Sequence, residues 1–82
     1  MSESPYIFEV NQHNFAPVVV ENSQRVPVLF DFWADWCQPC QTLTPLLTKL
    51  AQEYRGGFVL AKINADVEQA LAAAAAIGDD RL

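Results

Sequence analysis

Short apolar runs alternate along this chain with stretches whose apolar residues recur every three or four positions. The first run, Tyr6-Ile7-Phe8-Glu9-Val10, is aromatic and β-branched and predicts a strand. Asn11 then offers a helix N-cap, and Asn14 a second one. The helix that follows starts near Asn14, because Pro17 is tolerated only in a first turn. Phe15, Val18, Val19 and Val20 would form its buried side, and the polar Glu21 to Arg25 break it. Val26 to Trp33 is nearly continuous in apolar residues, interrupted by Pro27 and Asp31, as in a strand covered on both faces. Over Gln41 to Tyr54 the apolar positions are Leu43, Leu46, Leu47, Leu50, Ala51 and Tyr54, the stripe of an amphipathic helix. Pro45 should kink that helix, and Gly56-Gly57 should end it. Phe58 to Ile63 reads as a third buried strand. With Asp66 as a cap, Val67 to Ile77 reads as an alanine-rich helix stopped by Gly78.

The resulting order, β-α-β-α-β-α, predicts an α/β fold with a parallel sheet and right-handed crossovers. A length of 82 residues allows one domain and a limited core, and no internal repeat is visible. Ala72 to Ala76 is a low-complexity patch of high helix propensity with little to grip a core. At 51% hydrophobic residues the chain is not a disordered tail, and no apolar run is long enough to cross a bilayer. Met1-Ser2-Glu3-Ser4-Pro5 has neither the basic start nor the apolar core of a signal peptide, so the expected location is cytoplasmic. Ten acidic against five basic residues leave a net charge of −5. That balance argues against a nucleic-acid surface and against anionic membranes.

The candidate chemistry lies at the junction of the second strand and the second helix. Both cysteines of the chain sit there, Cys37 and Cys40, separated by Gln38 and Pro39. A Cys-x-x-Cys pair at such a junction is a redox arrangement of a βαβ unit. The first N–H groups of a helix lack intrahelical partners, and the helix dipole adds positive charge there, so a Cys37 thiolate would be stabilised. Cys40, one turn on, is placed to resolve a mixed disulfide on Cys37. A zinc site needs about four ligands, and His13 is the only further soft candidate, so no metal or other cofactor is expected. An inert disulfide would close too small a loop to constrain the unfolded chain much. Asp31 is the second informative residue, because an ionised carboxylate within an apolar strand is costly. Alternation places it on the face of Leu29 and Trp33, which favours burial. Lys62, in the third strand, either pairs with Asp31 or turns outward. Trp33 and Trp36 read as packing residues, and Pro39 stiffens the turn between the sulfurs. No phosphate-cradling glycine motif occurs, and a single His cannot build a Ser/His/Asp set.

The run Val28-Leu29-Phe30-Asp31-Phe32-Trp33-Ala34-Asp35-Trp36-Cys37-Gln38-Pro39-Cys40, with Pro45 and Val59-Leu60-Ala61-Lys62-Ile63-Asn64, resembles the thioredoxin family over most of residues 5 to 77. The resemblance implies a thiol–disulfide oxidoreductase, with Cys37 as nucleophile, Cys40 as resolving thiol and Asp31 as the buried acid that takes the resolving proton. It implies supporting roles for Trp33 and Lys62, and contact with the substrate polypeptide for Trp36, Gln38 and Pro39. The family's usual Gly-Pro between the cysteines is Gln38-Pro39 here, a pair that tunes redox poise. Implied partners are protein disulfide substrates and a thioredoxin-reductase-like reductant. Thr42-Leu43-Thr44-Pro45-Leu46-Leu47 and Ala61-Lys62-Ile63-Asn64-Ala65-Asp66 also resemble thioredoxin-like domains that open co-chaperones with a helical-repeat tail. The alternative function is therefore a module that binds unfolded clients without catalysis. Measured against the family, residues 1–82 are expected to form a single incomplete domain that lacks the usual C-terminal β-β-α part with its cis-proline loop. An open sheet edge would then favour a partner chain, a swapped element or a homo-oligomer.

Overall fold

β1 (Ile7–Glu9) leads into a π-helical turn, Ala16–Val20, that passes directly into α1 (Glu21–Ser23). β2 (Val28–Trp33), α2 (Gln38–Tyr54), β3 (Val59–Asn64) and α3 (Gln69–Asp80) follow in this computed structural model, which describes residues 5–80. Met1 to Ser4, read above for a targeting signal, lie outside the described residues. The strands form one parallel sheet in the order β1-β3-β2, so the expected α/β architecture is present and β3 is central. Its burial accounts for that place: Leu60, Ala61 and Ile63 are inaccessible to solvent.

Side chains alternate across a strand, and the register sorts them into two faces. On one face Phe8, Ala61 and Phe30 stand in a row, with Ile63 and Phe32 in the next. Val10, Val18, Val19, Ala61 and Ile63 form the core here, joined by Phe15, Leu71 and Ala72 from the helical segments. Phe30 stacks between Phe15 and Phe32, at centroid distances of 6.4 and 5.9 Å. Removing such large apolar side chains from water contributes about 1.5–3 kcal/mol each. On the opposite face Ile7, Leu60 and Leu29 align, and next to them Glu9, Lys62 and Asp31.

Several local expectations are corrected. Asn11 and Asn14 cap each other rather than a helix: Asn11 Oδ1 accepts the N–H of His13 (2.8 Å) and of Asn14 (3.0 Å), and Asn14 Oδ1 accepts that of Asn11 (2.8 Å). The turn beyond is widened by an i→i+5 bond from the Glu21 N–H to the Ala16 carbonyl. Val18 and Val19 meet the sheet, while Val20 is turned out to solvent. α2 starts at Gln38, not Gln41, because Cys37 itself is the N-cap. It runs through Pro45 and ends at Arg55, which takes the left-handed conformation (φ 49°) while its N–H reaches the Ala51 carbonyl. The stripe on α2 is only partly covered. Ala51 is fully buried and Leu47 half-buried, but Leu43, Leu46, Leu50 and Tyr54 are exposed. α2 lies over β2, and β2 is a sheet edge among the described residues, so the outer half of the stripe has no strand beneath it. α3 begins at Gln69 rather than Val67. Asn64 Oδ1, not Asp66, receives the free N–H groups of Asp66 and Val67 (2.9 and 3.2 Å), and this turn delays the helix. The helix then passes Gly78 to Asp80; an interior glycine costs only about 1 kcal/mol.

Candidate active site

The parallel sheet delivers the C-terminal end of β2 to the N-terminal end of α2, and the reactive residues collect there. The short link is held from both sides. Cys37 N–H donates to the Ala34 carbonyl (3.1 Å), and the Gln41 side chain donates to the Asp35 carbonyl (3.0 Å). Cys37 and Cys40 are joined in a disulfide, with a Cα–Cα separation of 5.3 Å. Cys37 has extended backbone (φ −90°, ψ 102°), and its sulfur accepts the Cys40 N–H at 3.3 Å. A sulfur thus occupies the position that a Ser or Asp oxygen takes at other helix starts. Once the bond is reduced, that N–H and the positive helix end both favour the thiolate of Cys37. Pro39 stands in the first turn, where its missing N–H has no role to fill. Cys40 Sγ lies 3.6 Å from the Phe32 carbonyl, on the inner side of the pair.

Behind the disulfide a polar group is set into the apolar strand. Asp31 is 2% exposed, the buried charged residue of the described core. Its Oδ2 accepts a hydrogen bond from Thr44 Oγ1 at 2.8 Å. Lys62 is its register neighbour on β3, and Glu9 is the neighbour of Lys62 on β1, so three charged residues cross the sheet on one face. Trp33 Nε1 donates to Glu9 Oε2 at 3.0 Å. Burial pushes the Glu9 carboxyl above its ordinary range, and the nearby Asp31 charge adds to this; the Trp33 hydrogen bond and the Lys62 charge work against it. A cleft beside the sulfurs is lined by Trp33, Cys40, Thr44, Pro45 and Lys62 with the intervening loop.

Trp36, Gln38 and Pro39 form the outer surface at the disulfide, all three exposed. Trp36 is 72% exposed, yet its indole is fixed by a hydrogen bond from Nε1 to Asp66 Oδ2 (2.8 Å). Trp33 and Lys62 thus line one cleft with Cys40, Trp36, Gln38 and Pro39 flank the cysteines in sequence, and Asp31 joins this cleft through its bond to Thr44. The structure adds Glu9, Thr44 and Asp66, to which the sequence reading gave no role at the site. Thr44 carried a sequence signal: it sits four residues after Cys40, on the same helical face.

The comparisons with known proteins agree with this geometry. The Thioredoxin family model matches residues 6–79. A thioredoxin of Haemophilus influenzae is 41% identical over 64 residues, covering 78% of this chain and 58% of that protein. A thioredoxin of Thiocapsa roseopersicina is 42% identical over 66 residues, with 80% of this chain and 68% of that protein covered. Among solved structures, a mutant thioredoxin from Halobacterium salinarum superposes with a TM-score of 0.70 at 39% identity, over 90% of this chain and 63% of that one. The chain thus spans little more than half the length of the Haemophilus relative. A family model matching residues 6–79, and a solved thioredoxin that superposes over 90% of this chain at 39% identity, lead to one conclusion: this chain belongs to the thioredoxin family.

Proposed function

We propose that this chain carries out thiol–disulfide exchange with protein substrates through Cys37 and Cys40. In the reductive direction the Cys37 thiolate attacks a substrate disulfide, forming a mixed disulfide and releasing one substrate sulfur as a thiolate that takes a proton. Cys40 then gives its proton to the Asp31 carboxylate and attacks Cys37 Sγ. The bond from Cys37 to the substrate breaks, the second substrate thiol leaves, and the Cys37–Cys40 disulfide remains. Two electrons have passed to the substrate; a dithiol partner of the reductase class returns them. Trp36, Gln38 and Pro39 offer the approaching polypeptide an exposed surface beside the sulfurs, and Trp33 and Lys62 brace the residues behind. The observation that carries this reading is the Cys40 N–H directed at Cys37 Sγ across the start of α2. Reduction of insulin disulfides by the dithiothreitol-reduced protein tests it. Turnover is expected for the wild type and background rates for Cys37→Ser; equal rates for the two would refute it.

A second reading, the binding of unfolded clients, is favoured by the exposed Leu43, Leu46, Leu50 and Tyr54 along α2. Such a module should suppress aggregation of a denatured client equally well as wild type and as Cys37→Ser. No suppression by either protein would dismiss it.

A further inference from the structure

We propose that Thr44 is a positioning residue for the resolving step, holding the Asp31 carboxylate so that one oxygen stays available to the Cys40 proton. This rests on the oxidoreductase reading above. A threonine inside a helix ordinarily turns its hydroxyl back to the carbonyl one turn earlier. Thr44 instead donates across to the strand, from Oγ1 to Asp31 Oδ2 at 2.8 Å, over a sequence separation of 13. Threonine is also a poor helix former, so helix propensity does not account for it at this half-buried place.

The position decides what the contact can do. Thr44 follows Cys40 by four residues, so the two share a face of α2 and line the same cleft. Asp31 is almost wholly buried, where an ionised carboxylate needs donors to remain charged. The Thr44 hydroxyl supplies one and fixes the plane of the carboxylate. With Oδ2 engaged, Oδ1 is left to receive the proton from Cys40. The charged groups beside Asp31 on the sheet are Lys62 on β3 and, beyond it, Glu9 on β1; the titratable Cys40 stands on α2 one turn before Thr44.

Cys37 attack and Cys40 resolution separate in a single-turnover reaction of the reduced protein with 5,5′-dithiobis(2-nitrobenzoate) under stopped flow. The first thionitrobenzoate reports formation of the mixed disulfide on Cys37, and the second reports attack by Cys40. Thr44→Val, which keeps the shape and removes the hydroxyl, should leave the first release unchanged and slow the second about tenfold near neutral pH, the scale of one charge-assisted hydrogen bond. Its second-phase pH profile should differ from that of the wild type, and Thr44→Ser should restore both rate and profile. In an Asp31→Asn background Thr44→Val should have no further effect. Should Thr44→Val not fold, Thr44→Ala serves with the same expectation. A second release that is unchanged by these substitutions, or slowed equally without Asp31, would overturn the proposal. The absence of any first release from the wild type would instead sink the oxidoreductase reading.

Discussion

Exposure does not distinguish Cys37 from Cys40, since both are half-buried. The helix start does, because only Cys37 receives an N–H from the first turn. Limiting iodoacetamide near neutral pH should therefore label the reduced protein mainly at Cys37, as mapped by mass spectrometry; label mainly at Cys40 would reverse the assignment. Glu9 offers a second test at this scale. Burial raises its folded pKa above the unfolded value, so the native state binds the proton more tightly than the unfolded chain does. The stability this contributes is complete below the unfolded value and is lost as pH rises from there through the raised one. Glu9→Gln keeps an acceptor for the Trp33 indole and removes the titration. Urea unfolding across the acid range should show a smaller decline in stability for Glu9→Gln; identical slopes would mean Glu9 is not coupled to folding. The cysteine pair was legible in the sequence because its chemistry depends on spacing within a single turn. Asp31 was legible as an anomaly in an apolar run. Glu9 and Asp66 were not, because their partners lie 24 and 30 residues away and each alone reads as a solvated polar side chain; Thr44 showed its helical spacing from Cys40 but not its partner, 13 residues back.

The ends of the elements are set by backbone conformations that the sequence marks only loosely. Arg55 closes α2 at φ 49°, and Gly56 follows at φ 91° with the Tyr6 ring 3.0 Å from where a Cβ would sit. A side chain in the left-handed region costs roughly 1–2 kcal/mol, less the entropy a glycine adds to the unfolded state. Arg55→Gly is therefore expected to stabilise the protein by about 0.5–1 kcal/mol, and Gly56→Ala to destabilise it by at least as much. Urea midpoints at constant m-value measure both; a destabilising Arg55→Gly would show that the Arg55 side chain holds something the backbone argument omits. Element type and order were readable because strands and helices differ in period, and those periods are carried by many residues at once. The starts of α2 and α3 were not. They depend on single side chains, Cys37 and Asn64, whose capping role becomes visible only when the turn is built.

On the scale of the whole molecule, an apolar groove beside the edge of the sheet lies open among the described residues. β2 is an edge strand among the described residues. Beside it Pro27, Val28, Leu29, Leu50, Tyr54 and Phe58 line an open apolar groove, with Leu43 and Leu46 exposed further along α2. The usual protections of an edge are charged side chains along it, a proline within it or a bulge. Here Pro27 precedes the strand, and the one charge in β2, Asp31, is turned inward and bonded to Thr44. The backbone groups of such an edge are best matched by another strand, and a second copy of the chain supplies an identical one. Two β2 strands meeting antiparallel about a two-fold axis would close the contact in a dimer. A net charge of −5 on each copy opposes their approach, so added salt should strengthen the association by screening. Sedimentation of the purified chain at increasing concentration is expected to show a monomer–dimer equilibrium that shifts toward dimer in higher salt. Leu29→Lys, which puts a charge on the exposed face of the edge, should shift it back toward monomer. A chain that stays monomeric at every concentration and unfolds in one cooperative step, with several kcal/mol of stability of its own, would show that the open edge is tolerated in water.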